Sequence, residues 1–196
     1  MTKEIISQFA NKHNIDESIL SAIISVEAGG NGFNDDDGSL KIRFEVHLLL
    51  DDYPNMNRWF KLGETRFLDH FMRFPSYSST WRKVHTGNQW DEFNALLIAC
   101  HGIGQIAWGY CSFGSFQILS KFHYEKLGFP SPIAMYSYMS QSDENDIEVG
   151  LRLIEVTPGF LYPLKNKDLR QFVVNYNGEG QVDYYVRRFI EELNKQ

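Results

Sequence analysis

Along most of the chain the apolar positions recur every three or four residues, the interval that gathers side chains on one face of an α-helix. Only one short segment alternates as a half-buried strand does. In residues 3–13, Ile5, Ile6 and Phe9 share a face, with the lysines, Gln8 and Asn11 opposite. Asn14, followed three residues later by Glu17, reads as a capping box that opens a second helix. Its stripe is Ile15, Ile19, Ile23 and Val26, with Leu20, Ile24 and Glu27 running beside it, and Gly29 and Gly30 supply the left-handed residue that ends it. Helical periodicity returns around 62–74, over 91–106, behind Ser112 as a cap in 112–129, and in 143–156, 168–176 and 181–194. Pro158-Gly159 and Asn177-Gly178 stop two of these. The alternating segment follows an Asp37-Gly38 turn signal, where Leu40, Ile42 and Phe44 interleave with Lys41, Arg43 and Glu45. About eight helices and one small hairpin predict a predominantly α-helical α+β fold. With no repeat, low-complexity run or linker, 1–196 reads as a single domain.

Composition then removes several classes of function. The 196 residues are 43% hydrophobic and 15% aromatic, enough for one good-sized core. The net charge of -6 leaves no basic stripe for nucleic acid. No apolar run is long enough to cross a bilayer, and the N-terminal segment lacks the apolar core of a signal peptide. The expectation is a protein made in a cytoplasm that needs outside help to leave it. Cys100 and Cys111 are too few for a disulfide framework or a zinc knuckle and read as reduced thiols. Asp35, Asp36 and Asp37 suggest calcium, but the position that should carry the bidentate glutamate of an EF-hand is Val46, so the acids read as a turn. No metal and no cofactor are expected. The rings between Tyr53 and Trp90 suit either a sugar platform or a core.

In 24-ISVEAGG-30 an apolar helix runs up to Glu27 and stops, which sets an anion against the partial negative charge of a helix C-terminus. Three later stretches accompany it: IRFEVH (42–47), SFGSFQILS (112–120) and YNGEG (176–180). In that order the four resemble the lysozyme superfamily, with its goose-type lysozymes and soluble lytic transglycosylases. They resemble most closely the muramidase domains of phage endolysins, which carry VES-GG, ILFERH, SWGLFQIMG and YNGPG. The resemblance spans roughly Asp16 to Phe189 and implies a lysozyme-like domain with a hairpin beside an active-site cleft. Ala28, Val46 and Phe113 depart from the pattern, where the family has Ser, Arg and Trp. Glu27, Glu45, His47, Ser112, Gly114, Gln117, Tyr176 and Asn177 match it: the resemblance makes the two glutamates catalytic and the other six substrate-binding.

Chemistry gives these residues work. Breaking a glycosidic bond requires an acid still protonated near neutral pH, and an apolar face at a helix C-terminus penalises the Glu27 anion. A second carboxylate should stay ionised in a polar setting. Glu45 fits through Arg43, two residues back on the same strand face, although an ordinary Arg43-Glu45 surface pair fits equally well. A separation of about 5 Å between the two carboxyls implies retention and one of about 6.5 Å or more implies inversion. Gly114 admits close backbone approach. By resemblance, Gln117 hydrogen-bonds the saccharide and Tyr176 turns its hydroxyl toward Glu27 or the N-acetyl group, while Ser112 serves better as a cap than as a nucleophile. The leading function is an N-acetylmuramidase acting on bacterial peptidoglycan as a monomer, as an endolysin released by a holin or as a delivered effector. A lytic transglycosylase forming a 1,6-anhydro product is the nearest alternative. A non-catalytic wall-binding module and an amidase built on Cys111 with His101 or His123 remain.

Overall fold

The structure of the chain, a computed structural model, describes residues 2–28, 31–74 and 80–195. Its elements are α1 (Thr2–His13), α2 (Glu17–Ala28), β1 (Ile42–Phe44), α3 (Val46–Asp52), β2 (Phe60–Leu62), β3 (His70–Met72), β4 (Arg82–Lys83), α4 (Gln89–Ile103), β5 (Cys111–Phe113), β6 (Ile118–Leu119), α5 (Ser120–His123), α6 (Pro132–Met139), α7 (Asp143–Val156), α8 (Leu161–Lys165), α9 (Leu169–Asn177) and α10 (Val182–Leu193). The fold is α+β and predominantly helical, as the periodicity predicts. The chain divides into two compact units, one of residues 1–39, 114–116 and 138–196, the other of 40–113 and 117–137.

The first unit is helical. Ile19, Leu20, Ala22, Ile23, Ile24 and Val26 of α2 are all buried, so this helix is wrapped on nearly every side rather than along one stripe. It packs on α10, α10 packs on α9, and α1 packs on α7 and α2. Phe172 and Phe189 meet edge to face inside this group with ring centroids 6.3 Å apart, and Phe172 stacks on Tyr176 at 5.3 Å. The capping box at Asn14 and Glu17 does not form. Asn14 takes a left-handed φ of 53° beyond the end of α1, and the Asp16 carboxylate caps α2 by accepting from the Ser18 backbone amide at 3.1 Å. Gly29 and Gly30, the expected stop of α2, lie outside the described residues.

The second unit holds both sheets. β1 does not close a local hairpin: it pairs antiparallel with β5, sixty-odd residues on, with Arg43 opposite Ser112 and Phe44 opposite Cys111. The Asp37-Gly38 turn forms, held by Asp37 accepting from the Ser39 amide and hydroxyl. β5 continues into β6, so the expected helix over 112–129 shrinks to α5. Left-handed Gly114 and Gln117, at φ 68° and 46°, break the helical run and set the turn between the two strands. The periodicity of 62–74 also misleads, since that segment contributes to an antiparallel sheet of β2, β3 and β4. There Phe60 and Met72 are buried and face each other in register, with the Phe60 ring on Phe44 at 5.7 Å. Alternation over three residues is too brief to show against a helical pattern. Of the rings between Tyr53 and Trp90, Tyr77 falls outside the described residues.

Gly150 lies where any β-carbon would fall on the ring of Phe116, which is fully buried. Gly150→Ala is expected to cost about 1–3 kcal/mol by overpacking, read as a lower urea midpoint with unchanged slope.

Candidate active site

In the first unit, α2 and α9 deliver the acid and its neighbour. Asn177 is the last residue of α9, and Gly178, left-handed at φ 78°, terminates the helix there. The Asn177 Nδ2 amide donates to Glu27 Oε1 at 3.2 Å. Glu27 sits in the last turn of α2, where the helix dipole opposes an anion. Burial lifts its carboxyl from the ordinary 4.5 to about 7, against the pull of the Asn177 hydrogen bond and the Arg188 guanidinium. A protonated carboxyl at neutral pH is what the sequence leads one to expect of this residue. The Asn177 Oδ1 atom, by contrast, is buried with no hydrogen-bond partner.

The Tyr176 hydroxyl donates to the backbone carbonyl of Phe116 and so fixes a turn, with the ring close enough to Glu27 for that carboxylate to act on it electrostatically. Asp146 of α7 holds the same turn from another side: both its carboxylate oxygens accept from the Ser115 amide, at 3.0 and 3.2 Å. A β-carbon on Gly32 or Gly114 would fall on that carboxylate, which explains why glycine is required at 114. Burial raises Asp146 to about 6, with the Ser115 bonds pulling the other way. None of the sequence motifs marks Asp146. A signal exists all the same, because Asp146, Val149, Gly150 and Leu153 occupy successive positions of one buried face, so a carboxylate sits in an apolar stripe.

The second unit places the remaining residues. Glu45 lies just past β1 as the residue before α3, and its side chain is only 12% exposed. Arg43 Nε does donate to Glu45 Oε1 at 3.0 Å, and His47 Nδ1 stands 3.5 Å from Oε2. Burial outweighs Arg43 and raises the Glu45 carboxyl from its ordinary value, so its surroundings are less polar than the strand pattern leads one to expect. Ser112 is a buried residue of the central strand β5, not a helix cap. Gln117 is half-buried at the end of the β5–β6 turn. Cys111, also in β5, is fully buried and its thiol is pushed well above the usual range, which is the reverse of what a thiolate nucleophile needs.

Comparison with known proteins supplies independent findings. The crystal structure of a Burkholderia AP3 phage endolysin shares the fold, with a TM-score of 0.70 and 22% sequence identity over 100% of this chain and 71% of that one. No curated protein matches the chain. The N-acetylmuramidase family pattern matches residues 16–195. That match takes in both Glu27 and Asn177, and the chain belongs to the N-acetylmuramidase family.

Proposed function

We propose that Glu27 is the general acid with which this peptidoglycan-hydrolysing enzyme breaks the β-1,4 bond between N-acetylmuramic acid and N-acetylglucosamine. The observation that carries the assignment is a carboxyl held near pH 7 by burial at a helix C-terminus. Its proton passes to the glycosidic oxygen as the bond from the anomeric carbon breaks and positive charge spreads over the sugar ring. The resulting Glu27 carboxylate then takes a proton from the water that adds to the anomeric carbon, which restores the acid. A pKa near the working pH suits both halves of this exchange.

Asn177 serves this acid by holding the Glu27 side chain through its amide. Tyr176, Asp146 and Gly114 act as positioning residues through the Ser115–Phe116 backbone. We assign Gln117, a non-glycine residue in a left-handed conformation, to saccharide contact by family resemblance. Glu45 is kept as the candidate second carboxylate by family resemblance alone, with Arg43 bonded to its Oε1. Release from a host cytoplasm onto the cell wall, as in a phage lysis system, is the setting we propose. Among the described residues no helix is long and apolar enough to cross a membrane.

Five outcomes are expected. Glu27→Gln removes the proton donor and lowers turnover of purified peptidoglycan by about 10²–10⁴-fold or more, while circular dichroism stays that of the wild type. Mass spectrometry of wild-type digests finds reducing muramic acid ends, one water heavier than the anhydro ends of a lytic transglycosylase. The pH profile loses activity as pH rises through about 7, where Glu27 deprotonates. Asn177→Ala moves that limb upward, because the lost hydrogen bond favoured the carboxylate. Stability follows the same sign. A folded pKa raised above the unfolded one gives stability that is complete below about 4.5 and lost as pH climbs through about 7. Glu27→Gln therefore becomes more stable than the wild type at pH 8 by on the order of 2–3 kcal/mol, relative to their difference at pH 4.

A further inference from the structure

Three donor side chains converge inside the second unit. Glu45, His70 and His85 each offer one ligand atom, and these atoms all lie within 4.8 Å of one another. They arrive from the residue after β1, the start of β3 and the segment after β4. The outer nitrogen of each imidazole is tied down. His70 Nε2 lies 2.9 Å from the Arg66 carbonyl oxygen, which only accepts, so Nε2 carries the proton and Nδ1 presents its lone pair. His85 Nδ1 lies 2.7 Å from Glu92 Oε1, and the other oxygen of that buried carboxylate accepts from the Phe44 amide at 2.8 Å. The inner nitrogens, His70 Nδ1 and His85 Nε2, then face each other at 2.6 Å. Imidazoles whose far nitrogens are held by a carbonyl or a carboxylate are the form in which proteins present histidine to a metal, since the outer bond fixes tautomer and ring direction.

A further donor borders the group. His47 Nδ1 is buried with no hydrogen-bond partner, its ring centroid is 5.3 Å from that of His70, and it stands 3.5 Å from Glu45 Oε2. Arg43 binds the other oxygen of Glu45, which leaves Oε2 turned to this side. We propose that Glu45, His70 and His85, completed by His47 Nδ1, form a binding site for a zinc-type divalent transition-metal ion. Imidazole with one carboxylate selects such an ion over magnesium or calcium, which need a cage of oxygens. Two nitrogens on a tetrahedral zinc stand roughly 3.3 Å apart, so the rings need to separate by less than about an ångström to admit it. The ion takes the place of the proton the two imidazoles share.

The site has a structural purpose. β2, β3 and β4 are two or three residues long, and strands so short hold together only when something packs or ties them. An ion bound to His70 and His85 clamps this sheet to Glu45 at the end of β1, so its binding energy adds to folding. The proposal runs against the sequence expectation of no metal.

The test uses tag-free full-length chain, stripped with a chelator and titrated with Zn²⁺ by calorimetry and with Co²⁺ by absorption. One equivalent per chain, a Tm raised by Zn²⁺ and returned by chelator, and the visible d–d bands of tetrahedral Co²⁺ are expected. His85→Ala abolishes uptake, Glu92→Gln weakens the Kd by roughly 10–100-fold, and His101→Ala leaves it unchanged. If His85→Ala fails to fold, Glu92→Gln and the wild-type Co²⁺ spectrum decide. Absence of stoichiometric uptake, octahedral Co²⁺ bands, or equal affinity in wild type and Glu92→Gln overturns the site.

Discussion

Removal of a carboxyl from water organises this chain. α2 is buried on nearly all sides, and such a helix must end somewhere inside the molecule. Its last turn carries Glu27, whose anion meets both the helix dipole and a shortage of solvent. One long hydrogen bond from Asn177 and the field of Arg188 do not offset that cost, so the proton stays on to about pH 7. The helix that anchors the core of the first unit is thus the element that keeps Glu27 an acid.

Other carboxylates in the chain show how partners decide the outcome. Asp16, on the surface, receives Lys167, the Ser18 hydroxyl and the Ser18 amide, and falls to about 2. Asp146 is deeply placed but accepts from the Ser115 amide with both oxygens, and stands at about 6. Glu45 has Arg43 against it and is still raised, because burial is the larger influence. Burial sets the direction, and the number and charge of donors set how far it goes. Among the described residues Glu27 accepts from the neutral Asn177 amide, and its carboxyl stands at about 7.

Much of this is legible in the order of residues along the chain. Helical spacing locates α1, α2, α7, α9 and α10, and an acid at the end of an apolar helix marks Glu27 by residue type and position. Asn177 is legible as a helix terminator, although its bond to Glu27 spans 150 residues of sequence. The misreadings share a cause. β1 reads as one arm of a hairpin because its partner β5 is far away in the chain. The segments 62–74 and 112–129 read as helices because strands of two or three residues carry too little alternation to outweigh a helical count. Ser112 consequently reads as a helix cap, when it is a buried residue of a central strand.

Fold class, family and the placement of Glu27 at a helix end all follow from local spacing and from four short motifs in order, so a linear reading reaches them. What surrounds Glu45, the burial of Asp146 beneath Gly32 and Gly114, and the space that His70 and His85 share with Glu45 arise only when the chain is folded. Desolvation draws that line. Whether a carboxylate or an imidazole keeps its charge depends on how much water and which donors surround it, and those neighbours come from residues that are distant in the chain.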